Sequence, residues 1–348
     1  MKAEITLPWL VRIKPGALQR LGLYLARFRL TPVALFHSEG LLQSILDMAR
    51  QSLRQHGMNQ ALFHEVKEAS VEEAVRLLGA VPSSCKAIVG IGGGKALDVA
   101  KYTASLAGLP FFAVPTSLSN DGFCSPQASL TLEGNRRSVP TSLPEAVVVD
   151  LAICQQAPLT LWHSGVGDLS SKFTAVSDWK LAFHRRGVPV NDLAALLSDA
   201  SVFQFIAYPV SDEQGIRLLA TALMLNGIAM EIAGSSRPAS GSEHLISHAL
   251  DMTGARQRLH GLQTGTAAYL VSSLQIGRHH QTIGELFART GFWTSVRAQP
   301  FSKEEWRIAV ERAPSMKEDF YTILSEREAW REFARMIAND TALVGCFE

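Results

Sequence analysis

Cysteine is scarce and unpatterned in this sequence. Cys85, Cys124, Cys154 and Cys346 are the only four in 348 residues, with no CxxC pair and no ladder of spacings. That argues against a disulfide scaffold and a thiolate metal site, and the four read as free thiols in a reducing compartment. Net charge is equally low, a formal +1. No broad field is available for nucleic acid or a polybasic membrane contact, so an anionic ligand must be held by local groups. The opening MKAEITLPWLVRIKPGALQRLG has no cationic start followed by a long apolar run, so no secretory signal is expected and a cytoplasmic location is. The later stretch LLATALMLNGIAMEIAG carries Asn226 and Glu231 and reads as a buried helix rather than a membrane span. No internal repeat or low-complexity tract is visible.

What is present is a well-packed globular composition, 47% hydrophobic and 19% charged, on a chain long enough for two domains. Residues 1–150 alternate strand and helix. VALFH (33–37), ALFHEV (61–66), KAIVGIG, FFAVP and EAVVVD read as strands. Helical spacing fills the gaps between them: SEGLLQSILDMARQSLRQHG closes at Gly57, SVEEAVRLLGA opens on Ser70 as N-cap, and KALDVAKYTASLAG follows the glycines. This pattern predicts a mostly parallel sheet covered on both faces. Beyond Asp150 strand-like runs nearly vanish. Helices are expected near 157–182, 191–206, 212–234, 241–253 and 260–282, with shorter ones to the end. The expected architecture is an α/β domain (1–150) followed by an all-helical domain (151–348), with a ligand cleft between them.

Two segments of the first domain suit a ligand. GIGGGKALD, Gly90 to Asp98, runs from an apolar strand into a helix. Glycines there let a diphosphate approach the backbone, and the helix N-terminus offers unpaired N–H groups. It is neither a Walker A loop nor a standard GxGxxG, since Lys95 stands where the third glycine belongs. A tight strand-to-helix turn without a ligand is the plain alternative. VPTSLSNDGFCSP, Val114 to Pro126, puts Thr116, Ser117 and Ser119 at the C-terminal end of the next strand, where α/β sheets bind ligands. Asn120-Asp121-Gly122 could equally be an ordinary turn.

The second domain carries the ionisable candidates. Asp168 follows two glycines and precedes a helical run, and from that segment alone an N-cap is the stronger reading. SGSEHLISHALD supplies His244 and His248, four apart and so on one helix face. RLHGLQTG supplies His260 before another helix. Each histidine alone is more readily structural. Together, one carboxylate and two imidazoles make a plausible three-ligand set for a catalytic divalent metal with open positions for substrate. Spacing does not show convergence, because Asp168 and His244 are 76 positions apart.

The ordered motifs GGGKxxDVAK, VPTxxSxDGxxSP, GVGDLxxKxTAVxDWKLA, SGSEHLxSHALD and LHGxQxG resemble the sn-glycerol-1-phosphate dehydrogenase family of the iron-containing alcohol dehydrogenase and dehydroquinate synthase superfamily. The likeness runs from about residue 10 to about 290. It implies a dehydroquinate synthase-like fold, a Rossmann-like nicotinamide-cofactor domain, and a helical metal- and substrate-binding domain. By resemblance Gly93, Gly94, Lys95, Ala96, Leu97 and Asp98 line the diphosphate of NAD or NADP. Thr116, Ser117, Leu118 and Ser119 continue that wall, and Ser125 touches the cofactor. Asp121 contacts substrate. Asp168, His244 and His260 hold one divalent metal, zinc in this branch, with nickel or iron in relatives. His248 faces substrate. The implied partner is a small phosphorylated triose or polyol, and a homo-oligomer, dimer or larger, is expected.

The sequence also departs from the family pattern. Asn120 stands where the family has His, and Leu262 where it often has Glu; both bear on substrate shape. Ser38 appears where many relatives have an acid after the second strand, and its lack of charge makes a 2′-phosphate tolerable. Lys172, Arg256 and Arg258 are candidates for holding phosphate, with solvated charge as their plain alternative. Three activities remain open at this level: interconversion of sn-glycerol-1-phosphate and dihydroxyacetone phosphate, a polyol or alcohol dehydrogenase with another substrate, and a sugar-phosphate cyclase acting as a lyase. A non-catalytic binding relic is the remaining reading. Cyclases in the superfamily usually present Glu as the carboxylate ligand and more basic residues, which favours the dehydrogenase readings.

Overall fold

The apolar runs of the first half form a six-stranded parallel sheet in a computed structural model that describes residues 5–253 and 258–348. The strands are β1 (Leu10–Lys14), β2 (Val33–Ser38), β3 (Gln60–Val66), β4 (Ala87–Gly92), β5 (Phe111–Pro115) and β8 (Ala146–Asp150), in the order β1-β8-β5-β4-β2-β3. Between β5 and β8, β6 (Gln127–Leu132) and β7 (Asn135–Pro140) make an antiparallel pair. The helices linking the strands are α1 (Leu21–Arg27), α2 (Gln43–Gln55), α3 (Val71–Ala80) and α4 (Gly94–Ala107). Ser70 caps α3 as expected, accepting from the Glu73 N–H at 3.1 Å.

Alternation along the strands divides the core between the two faces. Val33, Leu35, Val89 and Ile91 join Leu21 and Leu25 of α1 and Ile45, Ala49 and Leu53 of α2 in one cluster. Gly90 faces the other way, where a Cβ would come within 3.0 Å of the Ala100 Cβ on α4. With both faces buried, apolar residues have no exposed face to avoid, so the strands read as continuous hydrophobic runs.

The chain divides into two compact units, one reaching to Ala157 and including Asp212–Glu231, the other comprising Pro158–Ser211 and Ile232–Glu348. A single boundary near 150 does not describe this, because segment 212–231 groups with the α/β part. After α5 (Leu151–Gln155), the second unit contains α6 (Leu159–Arg186) and α7 (Asp192–Ile206). The returning segment is α8 (Glu213–Ala233). This is the one helix among the described residues long and apolar enough to cross a membrane. Within its unit it behaves as a core helix: Asn226 is fully buried, donating to the Ala222 carbonyl at 2.9 Å. Gly227 lies against the Cys124 carbonyl, where a Cβ would collide.

The second unit continues with α9 (Ser242–Thr253) and α10 (His260–Ser272), then α11 (His279–Thr290), α12 (Phe292–Arg297), α13 (Lys303–Arg312) and α14 (Trp330–Asn339). The helix expected over 260–282 is therefore two. The break falls at 273–278, where Gly277 has φ +134°, outside any helical region.

Candidate active site

α6, α9 and α10 of the second unit each contribute one side chain to a common point: Asp168, His244 and His260. One ligand atom from each lies within 4.8 Å of the others. Asp168 Oδ1 is 3.7 Å from His244 Nε2 and 3.8 Å from His260 Nε2. Two donors bound to one tetrahedral ion at ~2.1 Å stand roughly 3.4 Å apart, so these separations suit a shared cation better than direct hydrogen bonds. One hard oxygen and two borderline nitrogens fit a divalent ion, and three protein ligands leave positions open. The four cysteines are free and buried, and burial pushes Cys124 and Cys154 up to about 12, which disfavours a thiolate at either.

The convergence rests on close helix packing. Asp168 is not an N-cap; Pro158 fills that position, and Asp168 lies well inside the 28-residue α6. The glycine beside it has another purpose. A Cβ on Gly167 would collide with the Gly261 carbonyl of α10, and one on Gly265 would sit 2.6 Å from the Gly167 Cα. A Cβ on Gly261 would collide with the Ser164 carbonyl, and its N–H donates to Ser164 Oγ at 3.1 Å. The two backbones thus meet directly, bringing Asp168 beside His260, the first residue of α10. α9 is docked by Asp178 of α6, whose Oδ2 accepts from the Ser242 N–H at 2.7 Å, one of the N–H groups a helix start leaves unpaired.

Charge at the site is arranged to receive a cation. Burial acts to raise the Asp168 carboxyl, but the Lys172 ammonium and the two imidazoles outweigh it and hold it well below the usual carboxylate range. Lys172 Nζ is 3.2 Å from Asp168 Oδ1 and both side chains are fully buried. Burial acts to lower His244, and the Asp168 and Glu243 carboxylates reverse this, leaving its affinity for a proton raised. A site that draws a proton to an imidazole in this way also draws a metal ion to the same nitrogen.

In the first unit the glycine loop lies at the point where sheet order reverses. From β2 the chain moves outward to β3, and from β4 it moves the other way to β5. Ligands of open α/β sheets bind at the C-terminal ends of strands flanking such a point. Gly92 ends β4 at φ +141°, with no room for a Cβ against the Ser38 side chain, and the Gly93 N–H donates to Ser38 Oγ at 2.9 Å. Around Gly93 and Gly94 the space is open, and the first turn of α4 begins there. The Thr116 N–H donates to the Gly92 carbonyl at 3.1 Å, tying the end of β5 to the loop. The arrangement is Rossmann-like: open glycines, a helix N-terminus and adjacent hydroxyls.

Residues 12–158 match the family described as iron-containing alcohol dehydrogenase. The chain is 34% identical to the glycerol-1-phosphate dehydrogenase (NAD(P)+) of Hyperthermus butylicus, covering 99% of this chain and 100% of that protein. The chain belongs to the glycerol-1-phosphate dehydrogenase family. Another member, the glycerol-1-phosphate dehydrogenase (NAD(P)+) of Thermofilum pendens, is 36% identical over 95% of this chain and 97% of its own. The glycerol dehydrogenase of Schizosaccharomyces pombe shares the fold, with a TM-score of 0.76 at 17% identity, 99% of this chain and 91% of that one being covered.

Against the family pattern, each expected residue has a definite environment. Lys95 is exposed on the first turn of α4, while Ala96, Leu97 and Asp98 are buried and can offer only backbone or a buried carboxylate. Thr116, Ser117 and Ser119 are half-buried, and Leu118 is buried. Ser125 is buried, its Oγ accepting from the Gln127 N–H at 3.2 Å. Asn120 accepts from the Gly122 N–H at 2.9 Å, shaping the turn that carries half-buried Asp121. His248 is half-buried, its ring centroid 6.5 Å from that of His244 and 6.4 Å from that of His260.

The phosphate candidates fare differently. Lys172 is not solvated charge, being buried against Asp168 and the Ala239 carbonyl. Arg258 donates to Gln299 Oε1 and the Pro300 carbonyl, and Arg256 lies outside the described residues. Sequence reasoning missed Glu243, Ser247 and Gln263, which bond to the histidines or to one another. Their only signal was position: each lies next to, or within four residues of, a proposed ligand.

Proposed function

We propose that this protein is a metal-dependent, NAD(P)-linked oxidoreductase interconverting sn-glycerol-1-phosphate and dihydroxyacetone phosphate. The observation carrying this reading is the Asp168–His244–His260 group, on a chain that matches glycerol-1-phosphate dehydrogenases over nearly its full length. Zinc is the proposed ion, since the donor set is one oxygen and two imidazoles. When bound, the nicotinamide exchanges the hydride and the divalent ion acts as a Lewis acid.

The chain's own groups do the rest. Asp168, His244 and His260 hold the ion, and Lys172 keeps Asp168 ionised. Gly93 through Asp98, with Thr116 through Ser119, cradle the cofactor diphosphate, and Ser125 adds a further contact. Asp121 orients substrate. His248, one helical turn beyond His244, passes the proton to or from the substrate oxygen, directly or through one water. Ser38 brings no negative charge to the end of β2, so NADPH should be tolerated alongside NADH.

Nicotinamide absorbance tests the reading. Dihydroxyacetone phosphate should oxidise both NADH and NADPH, and glycerol or simple ketones should be poor substrates. Phosphate release from a heptulosonate phosphate without net nicotinamide turnover would replace this reading with the cyclase. Turnover of unphosphorylated polyols alone would replace the substrate.

A further inference from the structure

Each histidine of the metal group has a fixed partner on the nitrogen that faces away from Asp168. His244 Nδ1 is 2.8 Å from Oε1 of Glu243, a carboxylate with no exposed surface. Oε1 also accepts from the Gly241 N–H at 2.6 Å, and Oε2 lies 2.8 Å from the Thr174 hydroxyl, which is equally close to the Ser171 carbonyl. Oε1 already accepts from a backbone N–H and an ionised carboxylate has no proton to give, so the proton in the His244 contact belongs to Nδ1. His260 Nδ1 is 3.1 Å from Ser247 Oγ, and that hydroxyl donates to Gln263 Oε1 at 2.8 Å. Its single proton being spent there, Ser247 offers His260 a lone pair, and Nδ1 again carries the proton.

We propose that Glu243 and the Ser247–Gln263 pair are positioning residues that hold His244 and His260 as Nδ1–H tautomers, so that both Nε2 lone pairs face Asp168 before an ion binds. The inference rests on the metal-binding reading above. A histidine held in the opposite tautomer must exchange its proton before it can ligate, and the Glu243 charge also makes His244 a stronger donor. The two devices differ in kind, an anion for the fully docked His244 and a neutral hydroxyl–amide pair for His260 at the start of its helix. Glu243 is held from α6 through Thr174 and from the turn before α9 through Gly241, so the His244 ring is fixed by the packing that brings the ligands together.

Metal-free protein labelled with 15N-histidine, in mildly alkaline buffer, should show both rings as Nδ1–H by their nitrogen shifts. An Nε2–H pattern at either ring overturns the proposal, and this measurement needs no variant. Zinc affinity, measured against a chromophoric chelator, should fall by about 10- to 100-fold in Glu243→Gln and in Ser247→Ala. Gln retains an acceptor oxygen and nearly the same shape, so helical circular dichroism should stay at the wild-type level, and the visible spectrum of added cobalt should shift. Wild-type zinc affinity in both folded variants overturns the positioning role. Failure of the wild-type protein to bind zinc or cobalt at all overturns the metal reading itself, a distinct result.

Discussion

Asp168 has no exposed surface, and Lys172, whose ammonium lies beside its carboxylate, is buried with it. A carboxylate in that setting is tolerable only while its charge is matched, by lysine, by imidazolium or by a bound cation. The two histidines of SGSEHLISH stand in different settings. His244 has its Nε2 directed at Asp168 and its Nδ1 committed to Glu243, whereas His248 is half-buried and stands outside the three-ligand group. His244→Ala should lose stoichiometric zinc and with it activity. His248→Ala should keep zinc and lose about 10²- to 10⁴-fold in kcat, the usual weight of a general acid or base. Metal analysis alongside steady-state kinetics separates the two. A metal-free His248→Ala protein would contradict the division. The resemblance pointed to Asp168, His244 and His248 but not to Glu243, and it did not reveal that Lys172 is buried against Asp168, because burial of a lysine has no local sequence signature.

At the scale of elements, the site depends on how closely α6 approaches α10. Glycine inside a helix costs roughly 1 kcal/mol relative to alanine, and here that cost is offset by backbone contact no larger residue allows. Gly167→Ala should therefore destabilise the protein by about 3 kcal/mol or more, against the small gain alanine would bring to a free helix. Zinc affinity should fall in the same variant as Asp168 and His260 move apart. Denaturant melts and a zinc titration check both effects; unchanged values would show that α6 and α10 can separate at no cost. The strands of the buried sheet interior were legible because both faces are apolar. β1 was not, since this edge strand, LVRIK, is mostly half-exposed and alternates with Arg12 and Lys14. The β6–β7 hairpin was missed because NRRSVP is nearly all exposed and polar. Its signal was the turn, where Glu133 and Gly134 have φ of +50° and +77°, the doubly positive pattern of a tight hairpin.

At the scale of the whole molecule, the helical unit is pinned at Asp178, which accepts from the Ser242, Ile323 and Gln275 N–H groups at 2.7, 2.9 and 3.0 Å. Burial, with Glu243 close by, pushes this carboxyl up to about 6 despite those hydrogen bonds. A carboxyl whose folded pKa is raised contributes stability that is present below its unfolded pKa and lost as pH rises through the folded one. The melting temperature of the wild type minus that of Asp178→Asn should therefore fall as pH rises from about 4 to about 7. A flat or rising difference would contradict the assignment. Alternation of strand and helix told the α/β part from the helical part, but not that segment 212–231 returns to the first unit. Composition alone does not tell one buried helix from another, and ligands 76 positions apart in sequence meet only through tertiary packing.

Catalysis is expected to require one ion held by Asp168, His244 and His260. The most direct test is a zinc titration into chelator-stripped protein, following nicotinamide oxidation by dihydroxyacetone phosphate. The rate should begin near zero, rise linearly and level off at one equivalent of zinc per chain. Full turnover in the stripped protein, before any zinc is added, would contradict the account.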